Sequence, residues 1–248
     1  FWLLDDITPP EHFTSEVAAA KAHLFAPRNA YRFKAIAQPA AVEYDPTTGK
    51  NPPYGASINF YLKSNLGEKE VVKLTITDAG GRKIREYECR TPKPGTAEAR
   101  PAIVDEEYFE PPPQPCEVKA GVNRVWWDLR TERTTEIRLR TAPLYAPDVP
   151  LGPEGWRKPP AVVRMSVLVR PGAYSVTLSV GGEQFTQKLT VLKDPNTAGS
   201  ESDIETQTLV QAALYDQMNA MSNTVNQIAS LRAQLVALGK ELGTDDSS

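Results

Sequence analysis

Several stretches of this 248-residue chain alternate apolar and polar residues with a period of two, which is typical of strands with one buried face. In residues 56–63, for example, Ile58, Phe60 and Leu62 alternate with polar or amphipathic neighbours. The pair Gly181-Gly182 predicts a two-residue hairpin between the last two strands. The predicted strands are 56–63, 71–77, 83–89, 122–130, 161–169, 174–180 and 185–191.

Six or seven short strands separated by turn signals favour one fold class, which is mainly β with an immunoglobulin or fibronectin type III-like β-sandwich. A strand is also predicted at 1–6, and a short helix at 14–24. We therefore divide the chain into three regions. They are 1–52 (a closing strand, a short helix and an extended linker), 53–195 (the sandwich) and 200–243 (a long amphipathic helix).

The C-terminal region changes to a helical period. A capping box is predicted at Ser202 and Glu205, and Gly239 or Gly243 would end the helix. At 1.5 Å per residue, residues 203–242 would extend over roughly 50 Å, which is more than one sandwich can cover. We therefore expect part of its apolar seam to bind another helix, domain or chain. The seam comprises Leu214, Met218, Met221, Val225, Ile228, Leu231, Leu235, Leu238 and Leu242, with one residue skipped from a strict heptad.

Composition narrows the class of protein. Proline accounts for 22 of the 248 residues and clusters in two irregular insertions, 90–120 and 131–160. The net charge of −3, without a basic run, argues against nucleic acid as a partner. No apolar stretch approaches the roughly 20 residues that span a bilayer, so no transmembrane segment is expected. Because the chain begins at Phe1 rather than Met, we expect a processed chain or a piece of a longer one.

Few residues offer catalytic chemistry. A zinc site, a serine triad or a cysteine–histidine pair would have to use one of the two histidines, His12 or His23. Asp5 and Asp6 are adjacent, so on a strand they point to opposite faces, and a turn or cap role is favoured over an acidic catalytic pair. The acidic run at 105–110 lacks calcium-loop spacing and is interpreted as solvated charge. We expect no enzyme activity, no metal site and no cofactor.

Two tryptophans and two cysteines remain as candidate functional residues. Trp126 and Trp127 should point to opposite faces of one strand, so one fills the core. The other could pack under the insertions, which is favoured, or form a platform for a sugar; Trp156 is a second candidate platform. Cys89 and Cys116 bracket the first insertion, and the sequence leaves open whether a disulfide joins them.

Several motifs, in the same order along the chain, resemble the C-terminal region of bacterial sortilin-like, BNR-repeat "glycosyl hydrolase" proteins. The resemblance covers most of the chain outside the two insertions. Its motifs are FWLLDDIT at 1–8, AHLFAPRNAYR at 22–32, GKNPPYGA at 49–56, GVNRVWWDLR at 121–130, PGAY at 171–174, YD at 215–216, and NQI through LRAQL at 226–235.

The resemblance implies a region that follows a β-propeller in a larger secreted or periplasmic protein, with residues 1–6 closing the last propeller blade. The hydrolase label of that family rests on propeller repeats, whose Ser-x-Asp-x-Gly-x-Thr-Trp box is missing here, so no catalytic residue carries over. We therefore expect a non-catalytic binding or scaffolding module. It would bind a protein partner, or the missing propeller, through 1–6 and the 203–242 helix.

Two alternatives are kept open. One is an accessory carbohydrate-binding region of a sialidase- or glycosidase-like propeller enzyme, with Trp126 or Trp156 against the glycan. The other is a structural subunit of an envelope or membrane-associated complex.

Overall fold

The computed structural model describes residues 6–33, 52–67, 70–92, 116–160 and 164–243. Several expectations fall on residues outside these ranges. They concern the strand at 1–6 apart from Asp6, the linker at 34–51, the acidic run at 105–110 and most of the 90–120 insertion.

Nine strands and three helices lie within the described ranges. They are α1 (Thr8–Glu11), α2 (Ser15–Ala19), β1 (Ala22–Leu24), β2 (Ala30–Arg32), β3 (Ala56–Leu62), β4 (Val72–Asp78), β5 (Lys83–Arg90), β6 (Cys116–Glu117), β7 (Gly121–Trp127), β8 (Gly172–Val180), β9 (Glu183–Lys193) and α3 (Glu201–Glu241). The architecture is α+β, with a curled six-strand mixed sheet, a three-strand sheet and the long C-terminal helix.

The strands form two sheets whose order differs from the order along the chain. The three-strand sheet has the order β1-β3-β7 and is antiparallel throughout. The six-strand sheet has the order β2-β9-β8-β4-β5-β6, with parallel pairs at both edges. The predicted hairpin is confirmed: Gly181 and Gly182 lie at φ +57° and +84° between β8 and β9, the left-handed region that a tight hairpin turn requires.

Apolar residues from both sheets share one hydrophobic core. Ile58 and Phe60 from β3, and Leu74 and Ile76 from β4, are fully buried, as the alternating pattern predicts. Trp127 is also fully buried, and its ring lies 5.4 Å from that of Tyr174 in an edge-on arrangement.

The chain divides into two compact units. The first unit comprises residues 1–132 with 168–205 and contains both sheets, and the second comprises 133–167 with 206–248. The second unit thus contains much of the predicted insertion at 131–160 together with most of α3. Within it, Leu139 and Arg157 pair as an isolated antiparallel bridge.

Two local predictions are wrong in their extent. The helix predicted at 14–24 ends at Ala19, because residues 22–24 pair with β3 instead. In the predicted strand 161–169, the described residues form only a single bridge, from Leu168 to Arg130. Before that bridge, the Met165 N–H donates to the Thr134 hydroxyl at 3.0 Å instead of to a neighbouring strand.

The predicted capping box is displaced by two residues. The Ser200 hydroxyl accepts the Asp203 N–H at 3.1 Å, and the Asp203 carboxylate accepts the Ser200 N–H at 2.8 Å. Ser200 directly precedes the first helical residue, so it is the residue that can reach the free N–H groups of the first turn. Glu205 instead forms an ion pair with Arg170 at 3.2 Å.

Candidate functional site

The two candidate sugar platforms, Trp126 and Trp156, lie in different units of the chain. Trp126 is half-buried on β7, opposite Ser57 of β3. Trp156 is also half-buried, and the Arg138 guanidinium lies over its ring at 4.9 Å from the centroid. Its indole N–H donates to Glu154 at 2.7 Å. One face of the Trp156 ring is therefore occupied by a cation from the same unit.

Two polar residues on or just beyond the strand of Trp126, Arg124 and Asp128, bind separate partners. Arg124 donates to the Asn59 side chain at 2.8 Å rather than to Asp128. Asp128 lies one residue beyond the end of β7, and its carboxylate accepts the backbone N–H of Arg130 at 3.1 Å.

The strongest polar network in the first unit surrounds Asp6, which is only 5% exposed. Its carboxylate accepts hydrogen bonds from the Ser57 hydroxyl at 2.7 Å, the Asn59 amide at 2.9 Å and the Thr8 N–H at 3.1 Å. Arg124 donates to the Asp6 backbone carbonyl at 3.1 Å. This network fixes the chain onto β3 and β7 directly after the segment 1–5.

These hydrogen bonds control the charge of Asp6. Burial on its own would raise the carboxyl pKa, but the hydrogen bonds from Thr8, Ser57 and Asn59 outweigh it, so the pKa lies well below its ordinary value. Asp6 is therefore charged at neutral pH and serves as a structural anchor. The sequence indicated its turn role, whereas Ser57 and Asn59, 51 and 53 residues away, carried no signal of this contact.

A cavity of about 390 Å³ opens in the first unit between the β4–β5 turn, the start of β8 and the start of α3. Several of its polar side chains are paired within the unit. Arg170 pairs with Glu205, the Tyr174 hydroxyl donates to the Arg170 carbonyl at 2.7 Å, and Asp78 accepts from the Gly80 N–H at 3.0 Å. Burial raises the pKa of Tyr174 to about 12, so this phenol stays protonated at neutral pH. The lining pairs donors with acceptors and brings no base to a nucleophile.

The two histidines lie in the first unit, in structural positions. His12 follows α1 as its C-terminal cap, and the His23 ring packs edge-on against Phe25 at 4.9 Å. Burial lowers the pKa of His23, which favours its neutral form. Among the residues that the structure describes, no three His, Cys, Asp or Glu side chains cluster in a way that could hold a metal ion.

The two cysteines are joined by a disulfide. Cys89 on β5 and Cys116 on β6 are parallel strand neighbours with their Cα atoms 4.4 Å apart. Cys89 is fully buried in the core. The bond therefore fixes both ends of the 90–115 segment to the same edge of the six-strand sheet.

In the second unit, α3 is bound through polar and small residues. The Asn226 side chain accepts the Arg138 N–H at 2.7 Å and donates to the Glu136 carbonyl at 2.9 Å, as a neighbouring strand would. One heptad earlier, the Asn219 side chain accepts the Thr135 N–H at 2.8 Å. Ser222 and Ala229 are buried on the same side of the helix. We call this side, Asn219, Ser222, Asn226 and Ala229, the docked face.

The opposite side of α3 exposes a continuous row of apolar residues. Leu214 is 49%, Leu235 68% and Leu242 69% exposed. The half-buried Met218 and Val225, which the sequence placed in the seam, flank this row. When Met218 and Val225 are left out, the exposed apolar residues keep a regular heptad spacing along α3. We define the apolar stripe as Val210, Leu214, Met221, Ile228, Leu231, Leu235, Leu238 and Leu242, with exposed Gln217 and Thr224 in the two remaining heptad positions.

The sequence located the apolar residues of α3 but missed its docked face. Two asparagines, a serine and an alanine carry no hydrophobic signal, so the side that binds the chain's own backbone was not identified. The spacing of Asn219 and Asn226 by one heptad was the only available indication.

The described part of the chain contains no helix with the length and apolar character needed to cross a bilayer. No protein-family model matches this chain, and neither the curated proteins nor the solved structures include a significant match to it.

Proposed function

We propose that this protein is a non-catalytic binding or scaffolding module that binds another protein through the apolar stripe of α3. One observation carries the proposal: the helix is bound to its own unit by the docked face, while the opposite face presents eight exposed apolar residues in heptad order. Exposed apolar surface of this extent is typical of an interaction site. The polar docked face holds the helix without using these residues.

We propose that the two sheets form a fibronectin type III-like sandwich. In the strand letters of such sandwiches, β1-β3-β7 corresponds to the sheet A-B-E. The neighbouring strands β5-β4-β8-β9 correspond to the sheet C′-C-F-G. Tyr174 near the start of strand F donates its hydroxyl to the carbonyl of Arg170, as in the tyrosine corner of such sandwiches. These features support the assignment.

We assign the chain to the C-terminal region of sortilin-like, BNR-repeat proteins, on the motif order described above. An extracytoplasmic location goes with this assignment and is supported by the Cys89–Cys116 disulfide, since such bonds persist mainly in oxidising compartments. In this proposal, the hydrogen bonds around Asp6 have a structural role. They would fix the start of the module where a preceding propeller joins it.

The test is purification of the protein from its source with its bound neighbours, after mild crosslinking. We compare wild type with the double variant Leu231→Glu/Leu238→Glu, which places two charges on the stripe. Val236→Glu is the matched control, because Val236 is an exposed apolar residue outside the stripe. Loss of the crosslinked neighbours from the double variant alone supports the proposal. Equal recovery from all three proteins contradicts it, as does turnover of a compound that depends on one side chain of this protein.

The carbohydrate alternative depends on Trp126 and Trp156. Both residues are half-buried rather than fully buried, which is compatible with contact to a sugar. A glycan array probed with wild type, Trp126→Ala and Trp156→Ala tests it, and binding that neither substitution changes removes the idea. The third possibility, a subunit of an envelope complex, is tested by the identity of the neighbours recovered in the purification above.

A further inference from the structure

We propose that the apolar stripe binds the same stripe of a second copy of this protein, as a parallel, in-register two-stranded coiled coil. This inference rests on the proposed function, because it names the protein that the stripe binds.

The spacing of the stripe specifies a helical partner. With Leu214, Met221, Ile228, Leu235 and Leu242 at position a of a heptad, position d is occupied by Val210, Gln217, Thr224, Leu231 and Leu238. All ten residues are exposed. An a/d repeat over nearly five heptads, apolar at eight of its ten positions, is the pattern that packs against another helix by knobs into holes. Ile228 at a followed by Leu231 at d is a combination that favours two strands.

The docked face leaves the stripe free for this partner. Asn219, Asn226 and Ala233 occupy position f, and Ser222 and Ala229 occupy position b. Positions b and f point away from the a/d seam of a two-stranded coiled coil. Each helix can therefore keep its hydrogen bonds to residues 135–138 while its stripe pairs with the second copy.

The flanking charges favour a second copy over a different chain. Positions e and g, which select partners in coiled coils by charge, hold only two charged residues along the stripe, Arg232 and Glu241. In a parallel pair, Arg232 faces Gln227 of the second copy, so the two arginines do not meet each other. A stripe without selective charges provides no means of choosing an unlike helix, and it imposes no repulsion between identical ones.

The two polar residues at position d set the orientation and register. In a parallel, in-register pair, Gln217 meets Gln217 of the second copy, and each amide can donate to and accept from the other. An antiparallel pair, or a parallel pair shifted by one heptad, would place at least one of the two Gln217 side chains against an apolar residue and bury its amide without a partner. The Thr224 hydroxyl already donates to the Ala220 carbonyl at 3.0 Å, so it tolerates burial in either case.

The size of the stripe suits a stable pair. From Val210 to Leu242 the helix extends over about 50 Å. With a contact width of about 10 Å on each helix, the pair would bury on the order of 1,000 Å² over both copies, the size at which specific interfaces begin.

Sedimentation equilibrium of the 248-residue protein between about 1 and 200 μM tests the pairing. We expect the mass to rise from 27.3 kDa towards twice that value. Leu231→Glu/Leu238→Glu should weaken the association at least 100-fold, and Val236→Glu should leave it unchanged. Circular dichroism checks that each variant retains its helix. A wild type that stays monomeric at 200 μM, or that forms a trimer or tetramer, overturns the inference.

Cysteine crosslinking tests the orientation. Leu214→Cys and Leu238→Cys are made separately, and the native cysteines are already bonded to each other. In a parallel, in-register pair each single variant forms a disulfide-linked dimer on its own. If only a mixture of the two variants crosslinks, the pair is antiparallel and the inference is wrong.

The two proposals fail separately. A monomeric protein whose Leu231→Glu/Leu238→Glu variant loses its crosslinked neighbours contradicts self-pairing but retains the scaffolding function. If the wild type pairs with itself but the Leu231→Glu/Leu238→Glu variant recovers the same crosslinked neighbours, the result supports self-pairing. It contradicts the binding of other proteins through the stripe.

Discussion

At the scale of single residues, Asp6 shows how one carboxylate can connect segments that are distant in sequence. It receives hydrogen bonds from Thr8 within its own turn and from Ser57 and Asn59 on β3. Its charge is favoured only because three donors surround it, since burial without them would favour the neutral acid. The contribution of this residue to stability should therefore depend on pH.

Asp6→Asn should lower the free energy of unfolding of the first unit by about 1–3 kcal/mol at pH 6, because an amide NH₂ would then face one of these donors. The native pKa lies below the ordinary value of 3.8, so the stabilisation by Asp6 is complete above that value and declines as the pH falls below it. The difference between wild type and variant should therefore shrink from pH 6 to pH 3. Urea titrations followed by tryptophan fluorescence measure it, and Asp148→Asn, at an exposed aspartate, is the control. A constant difference across this pH range would contradict the assignment of the charge.

The disulfide between Cys89 and Cys116 also connects distant parts of the sequence. It joins residues 27 apart in sequence and so restricts the unfolded chain. Replacing both Cys89 and Cys116 by Ala should cost about 3–4 kcal/mol by loop-closure entropy alone. The urea midpoint of wild type should fall on adding dithiothreitol, while that of the double variant should not change. A wild-type midpoint that is insensitive to complete reduction would show that the bond contributes little.

At the scale of elements, α3 has two functional faces, and only one of them can be identified from hydrophobicity. Leucines at heptad spacing predicted the helix and most of its exposed stripe. The docked face depends on Asn219 and Asn226, whose amides complete the backbone hydrogen bonding of residues 135–138. Residues of this type are usual on exposed helix surfaces, so only their spacing by one heptad distinguishes these two from Asn223 in the sequence.

Asn226→Ala should loosen the docked face, because it removes both the acceptor for the Arg138 N–H and the donor to the Glu136 carbonyl. The expected cost is about 1–3 kcal/mol for two hydrogen bonds at a partly exposed site. Hydrogen exchange at the Arg138 amide, followed by NMR, should accelerate by at least tenfold. Asn223→Ala makes the same chemical change at an exposed position of the same helix and should leave this exchange unchanged. If both variants accelerate it equally, the effect reflects helix propensity rather than docking.

The strands show the other limit of sequence pattern. Alternation located β3, β4, β8 and β9 because each places one face in the core. It failed within the described residues 164–169, where a hydrogen bond to Thr134 stands in place of a strand ladder, and it could not indicate the parallel pairing of β2 with β9. Both outcomes depend on contacts between segments far apart in the chain, which a local period does not encode.

At the scale of the whole molecule, the two units differ in how they are stabilised. The first unit has a core that includes Trp127, Phe60, Leu74 and Leu178, all fully buried. Among the described residues of the second unit, the buried apolar side chains are Ile137, Val167 and Ala229, and as many polar ones are buried: Thr134, Ser166 and Ser222. Apolar burial is the main favourable term in folding. The stability of the second unit therefore depends more on hydrogen bonds and on a partner that covers the apolar stripe.

The amides of residues 206–241 should therefore exchange at a lower opening free energy than those of β4 and β8. If the stripe pairs between copies, this exchange should slow as the protein concentration rises, because association stabilises the paired helix by mass action, whereas exchange in β4 and β8 should not change. Hydrogen-exchange mass spectrometry at about 1 and 100 μM measures both effects. The Leu231→Glu/Leu238→Glu variant should show fast helix exchange at both concentrations, because its stripe cannot be covered by a second copy. Protection of the helix equal to that of β8 at 1 μM would show instead that the second unit is as stable on its own as the first, and that its exposed leucines need no partner.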